Sequence, residues 1–154
     1  MDMEVDDDGY GLTKDSEGLR LVAYPDPGTG GAPWTLGYGR AHGIVEGQTC
    51  TEEEASQWLK EDMAFASAAV NHLVTVPRTQ GMHNALADFV YNLGQTAFGS
   101  STLLRKLNAG DHMGASAEFP KWVHGGNNQV LPGLVNRRAR ERNLFDGKPW
   151  QDIP

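Results

Sequence analysis

Glu17 and Asp26 are two carboxylates nine positions apart, and Thr35 follows across the Gly/Pro-rich stretch Pro27-Gly28-Thr29-Gly30-Gly31-Ala32-Pro33-Trp34. Two acids are the groups that glycosidic bond cleavage calls for. One carboxylic acid protonates the leaving oxygen, and a second carboxylate on the other side of the sugar ring activates water or attacks carbon. Fully extended, a nine-residue stretch would span about 30 Å, whereas such pairs stand ~5 to 10 Å apart. The chain must therefore turn back on itself, and Asp26-Pro27-Gly28 with Gly30-Gly31 has the composition of that turn. Among twenty acidic residues most carboxylates are solvated surface charges, so the pair alone is weak evidence.

The elements around the three residues strengthen the case. A short helix over residues 9–17, stopped by Gly18, places Glu17 at the negative end of the helix dipole, which disfavours a negative charge there. Leu19 to Tyr24 has strand character, and Trp34 to Tyr38 returns beside it as a hairpin forming one wall of the site. Thr51-Glu52-Glu53-Glu54 is a capping box, and Ala55, Trp58, Leu59, Ala66, Ala69, Val70 and Leu73 continue at helical spacing. Thr79 to Leu93 reads as a second long helix with Met82, Leu86, Phe89, Val90 and Leu93 on one stripe and Gly94 as its stop. Shorter helices are expected over residues 101–108, 111–118 and 132–145, with Asp111 as an N-cap and Pro132 in a first turn.

The motif order resembles that of the phage-type lysozymes, the endolysins of glycoside hydrolase family 24. The resemblance rests on Glu17, Asp26 and Thr35 followed by Leu36-Gly37-Tyr38-Gly39, on Ala85 to Gly94 as the central helix, on Ser101 to Gly110, and on Leu131 to Phe145. It covers roughly residues 10–147. It implies an α+β, mostly helical, lysozyme-like fold with a small β-hairpin lobe, a larger helical lobe and a cleft between them. It also implies muramidase activity on the β-1,4 bond between N-acetylmuramic acid and N-acetylglucosamine of peptidoglycan, used for host cell lysis. On this reading Glu17 is the general acid, Asp26 orients or deprotonates water, and Thr35 holds that water; Thr29 is the rival for the last role. Gly39, Tyr91 and Asn92 are the expected substrate contacts. Arg40 stands where the family usually has His, which predicts a different ion pair to the linking helix, with His42 as a partial substitute. Pro120 interrupts the helix expected before Trp122.

Composition bounds the rest. A chain of 154 residues suits one domain, expected over residues 9–154 after a disordered acidic leader at 1–8. Residues 1–99 carry 5 basic and 15 acidic side chains, and 100–150 carry 8 and 4, so the basic part is expected to face an anionic wall polymer. For any one of Arg137, Arg138, Arg140 and Arg142 the stronger expectation is a solvated helix face partly paired with Glu141. Net charge −7 and the absence of a recognisable module argue against nucleic acid. The single Cys50 and five histidines show no disulfide or metal spacing, so neither metal nor cofactor is expected. No apolar run approaches a membrane span and no export signal is visible. A monomer held in the host cytoplasm is expected, reaching the wall through a lesion made by a separate protein, with carriage in the virion as the alternative. Two other activities compete: a lysozyme-like domain that grips peptidoglycan without cutting it, and a lytic transglycosylase.

Overall fold

Helical segments predominate in the computed structural model, which describes residues 2–154, and a single small antiparallel sheet accompanies them. In chain order the elements are α1 (Asp7–Glu17), β1 (Arg20–Tyr24), β2 (Thr35–Gly37), α2 (Glu52–Leu73), α3 (Gln80–Leu93), α4 (Gln95–Gly99), α5 (Thr102–Asn108), α6 (His112–Ser116) and α7 (Pro132–Phe145). The α+β, mostly helical expectation holds. The chain divides into two compact units, residues 13–62 and residues 1–12 with 63–154.

In the unit spanning residues 13–62, β1 and β2 pair antiparallel with Arg20 opposite Gly37 and Tyr24 opposite Thr35. Residues 48–50 lie along the other edge of β1: Ala23 N–H donates to Gln48 O at 2.8 Å and Cys50 N–H to Leu21 O at 3.1 Å. No strand pattern at residues 48–50 marks that third partner. The capping box forms as expected, Glu54 N–H donating to Thr51 Oγ1 at 3.1 Å and Thr51 N–H to Glu54 Oε1 at 3.0 Å. Leu36, Tyr38, Ala55 and Leu59 are buried here.

The other unit contains the main core. Leu12, Met63, Val70, Leu86, Phe89, Phe98, Leu103, Leu107 and Phe119 are all fully buried, and Phe89 meets Phe98, Phe119 and Trp122 edge-on with centroids 5.3–6.0 Å apart. Every residue of α3 from Met82 to Val90 is buried, so this helix is enclosed on all faces rather than along one stripe. It packs against α7, and so closely that a Cβ at Gly81 would lie 2.4 Å from the Leu144 carbonyl oxygen. Thr79, Ser101 and Asp111 cap α3, α5 and α6 through their side chains. Pro120 falls in a 3-10 turn, Phe119–Lys121, the expected interruption.

Two expectations are corrected. Residues 2–8 are not a loose leader. Met3 N–H donates to Asn71 Oδ1 at 3.0 Å and Asn71 Nδ2 returns a bond to Met3 O at 2.9 Å. Asn84 Nδ2 donates to Asp6 Oδ1 at 2.6 Å, and Asp7 and Asp8 already belong to α1, where acids favour the helix N-terminus. Nor are Arg137 and Arg138 on a solvated face: their side chains are 7% and 1% exposed. Each is buried because it meets a buried carboxylate, the condition under which a charge can leave water.

Candidate active site

Glu17 is the last residue of α1, and Gly18 takes a positive φ immediately after it. The half-buried Glu17 side chain rests against the backbone of Gly39. A Cβ at Gly39 would lie 2.6 Å from Glu17 Oε1 and 2.9 Å from its Cδ, and φ there is +90°, a conformation that glycine adopts without strain. Gly39 sits in the tight turn that closes β2, where Leu36 N–H donates to Arg40 O at 2.9 Å and Arg40 N–H to Leu36 O at 3.0 Å. The hairpin turn thus brings a bare stretch of backbone against the candidate proton donor.

Asp26 and Thr35 flank one reversing loop. Asp26 N–H donates to Gly31 O at 2.9 Å, Gly30 N–H donates back to Asp26 O at 2.8 Å, and Asp26 Oδ1 accepts from Gly28 N–H at 3.1 Å. This Asx-type turn fixes the carboxylate while leaving it partly accessible. Thr35 opens β2 opposite Tyr24, two residues before Asp26, so the loop that leaves at the acid returns at the hydroxyl. Thr29, the rival for Thr35, is engaged inside the loop, donating from Oγ1 to Ala32 O at 2.9 Å and accepting from Gly31 N–H at 3.2 Å. Those bonds make it part of the turn's own scaffold.

Arg40 forms the substitute ion pairs expected of it. Its Nη1 lies 3.5 Å from Glu61 Oε2 and its Nε 3.8 Å from Asp62 Oδ2, with the guanidinium over the Trp58 ring at 5.2 Å. His42 Nε2 lies 3.2 Å from Asp62 Oδ1. Burial raises the Asp62 carboxyl, and Arg40 and His42 oppose that rise. These contacts tie the hairpin turn to the first half of α2.

Tyr91 and Asn92 belong to the last turn of α3, in the other unit. Tyr91 is half-buried and packs against the main core, so much of its ring serves packing. Asn92 accepts at Oδ1 from Arg138 Nη2 at 2.7 Å.

That arginine belongs to a buried cluster of which the sequence suggested only the pairing with Glu141. Arg137 grips Asp88 with two bonds, Nε to Oδ2 at 3.0 Å and Nη2 to Oδ1 at 2.9 Å. Arg138 pairs with Glu141, which is fully buried and hydrogen-bonded to Asp88. Burial pushes the Glu141 carboxyl well above the ordinary carboxylate range, against the pull of Arg138. The available signal was Asp88, a lone acid inside the apolar run Ala85 to Leu93.

A second buried pair has the makings of a nucleophile, with Ser67 Oγ 2.8 Å from His83 Nε2. Arg78 Nε faces the other ring nitrogen at 3.1 Å and can only donate, so Nδ1 accepts and the ring proton sits on Nε2. An imidazole already protonated on that side cannot take the serine proton. The pair is a structural pin, with Ser67 donating onward to Met3 O at 3.1 Å. Among the described residues there is no group of three or more His, Cys, Asp or Glu side chains that could hold a metal.

The Phage lysozyme family model matches residues 14–141. The endolysin of Acyrthosiphon pisum secondary endosymbiont phage 1 is 45% identical over 147 residues, covering 94% of this chain and 99% of that protein. The endolysin of Salmonella phage P22 is 36% identical over 148 residues, covering 93% and 98%. Among solved structures, the endolysin from Escherichia coli O157:H7 phage FAHEc1 superposes with a TM-score of 0.85 at 35% identity over 93% of both chains.

Proposed function

This chain belongs to the phage lysozyme family and is an endolysin-type muramidase, and we propose that Glu17, Asp26 and Thr35 carry out its hydrolysis of the β-1,4 bond between N-acetylmuramic acid and N-acetylglucosamine. Glu17 protonates the leaving oxygen. Asp26, its carboxylate held by the Gly28 N–H, orients or deprotonates the attacking water, and the Thr35 hydroxyl holds that water. The reaction inverts the anomeric centre, the outcome that follows when water fits between the two carboxyl groups. The observation carrying this reading is the contact of the Glu17 carboxylate with the side-chain-free backbone of Gly39. A general acid needs a fixed position, and the turn residue beside it is one where any side chain would collide with it.

Gly39, Tyr91 and Asn92 are the proposed substrate contacts. The single family match running across residues 14–141 supports one catalytic domain over 9–154. Peptidoglycan is the partner, engaged by a monomer. Among the described residues no helix is long and apolar enough to cross a membrane. As a separate part of the proposal, the chain waits in the host cytoplasm and reaches the wall once a separate protein has permeabilised the membrane.

Replacing Glu17 by Gln tests the assignment, because the amide keeps the shape and cannot donate the acid's proton. Turbidity clearance of wall suspensions should fall by roughly 100-fold or more while the far-UV circular dichroism is unchanged. Retained lysis removes Glu17 from the mechanism. Mass spectrometry of walls digested by the parent protein should give muropeptides with free reducing ends. Anhydro-muropeptides would mean transglycosylation, and intact glycan would mean binding alone.

A further inference from the structure

We propose that Arg138 is a positioning residue for the saccharide contact at Asn92, turning the amide so that the sugar meets its N–H pair and not its carbonyl oxygen. The inference rests on the reading of Asn92 as a substrate contact and adds to it the chemistry of what is recognised: an oxygen acceptor, such as an acetamido carbonyl or a ring hydroxyl.

A carboxamide can present either end, and the two ends differ only in donor and acceptor character. Here the choice is made by the partner. Arg138 Nη2 stands 2.7 Å from Asn92 Oδ1, and a guanidinium has five donors and no acceptor. Rotating the amide by half a turn would set N–H against N–H, so only one orientation satisfies the arginine. Among the described residues this is the only hydrogen bond of the Asn92 side chain, and the residue is half-buried, so its two N–H donors remain for a ligand.

Arg138 is held firmly enough to impose that choice. Its side chain is 1% exposed, its Nε makes a 2.7 Å ion pair with Glu141 Oε1, and its Nη2 donates to Glu141 Oε2 at 3.0 Å. Nη1 reaches the Trp122 carbonyl oxygen at 3.4 Å, and the guanidinium lies over the Phe89 ring at 5.3 Å. Glu141 is in turn hydrogen-bonded to Asp88, which Arg137 grips with two bonds. The amide is therefore oriented by a buried arginine whose own partners lie on α3 and α7, and Arg138 has no role in the reacting atoms. Such a residue should act on substrate affinity and leave the chemical step alone.

The test uses the full chain and a soluble tetrasaccharide of alternating N-acetylglucosamine and N-acetylmuramic acid, with KM and kcat measured separately. Asn92→Asp is isosteric, keeps an acceptor for Arg138 and replaces the donor pair by an acceptor. Its KM should rise roughly tenfold with kcat within a factor of about two and with Tm no lower than that of the parent. Asn92→Ala should raise KM similarly. Arg138→Met, assayed below its own melting transition, should raise KM in the parent and change it little in the Asn92→Ala background. A parent-like KM in Asn92→Ala overturns both the substrate contact and this inference. A raised KM in Asn92→Ala with a parent-like KM in Asn92→Asp overturns the orientation and leaves the contact standing. Equal effects of Arg138→Met in both backgrounds overturn the positioning role.

Discussion

Acidification should destabilise this protein through His83, over a range of pH set by that one side chain. The imidazole is fully buried, and its Nδ1 accepts from Arg78 while its Nε2 contacts Ser67. A second ring proton would have to go onto Nδ1, directly facing a guanidinium. Burial first, and the Arg78 charge second, therefore lower the group from 6.5 to about 4. Above pH 6.5 the ring is neutral both in the folded and in the unfolded chain, and stability does not depend on it. Between 6.5 and 4 the unfolded chain binds a proton that the folded one refuses, so stability falls as the pH falls. Each pH unit across that window costs about 1.4 kcal/mol, and the whole effect is at most about 3.4 kcal/mol. Below pH 4 it levels off. Domains of this size are stable by only about 5–15 kcal/mol, so the loss is measurable.

Urea denaturation at pH 7, 6, 5 and 4 on the parent and on His83→Gln isolates the term, because carboxylates titrate alike in both. Glutamine offers an acceptor toward Arg78 and a donor toward Ser67 without titrating. Its starting stability need not equal the parent's, since only the slope against pH is compared. The parent should lose about 2 to 3 kcal/mol more than the variant between pH 7 and 4. Parallel curves for the two proteins would refute the buried neutral imidazole and the proton placement argued from Arg78.

Three further outcomes follow from other contacts. Gly39→Ala should lower lytic activity at least tenfold in turbidity assays, because the new methyl would stand 2.6 Å from Glu17 Oε1 at a φ of +90°. Phe89→Ala should cost about 3–5 kcal/mol in chemical denaturation, since the ring is fully buried between Phe98, Phe119 and Trp122. Arg137→Met should cost about 3–5 kcal/mol by removing both bonds to a buried Asp88 carboxylate, and Asp88→Asn in that variant should restore part of the loss.

Where a feature is encoded by neighbours in the chain, the sequence was enough to place it. The Thr51–Glu54 capping box, the stops at Gly18 and Gly94, the cap Asp111, and α7 over Pro132–Phe145 all depend on contacts within a few residues. The same is true of the loop between Asp26 and Thr35, whose hydrogen bonds span at most five residues. The five-residue helix α4 escaped notice because it follows directly on the Gly94 stop that was read as the end of helical structure. Charged residues were misjudged for a different reason. Composition treats a charge as solvated unless a partner is visible, and two of the partners here lie far along the chain: Asp88 is 49 residues from Arg137, and Asn84 is 78 from Asp6.

That misjudgement alters the electrostatic argument as well as the packing. An excess of bases after residue 100 was expected to face an anionic wall, yet Arg137 and Arg138 are turned inward onto Asp88, Glu141 and Asn92. Lys106 and Lys121 both hold Glu118, at 3.1 and 2.6 Å. Charges committed to buried or paired carboxylates contribute little to a field felt in solution. With a chain of net charge −7, long-range attraction to peptidoglycan carboxylates is then a weak account of substrate capture. Recognition is then left to short-range contacts, and on the reading proposed above Arg138 fixes the direction of one of them through its bond to Asn92.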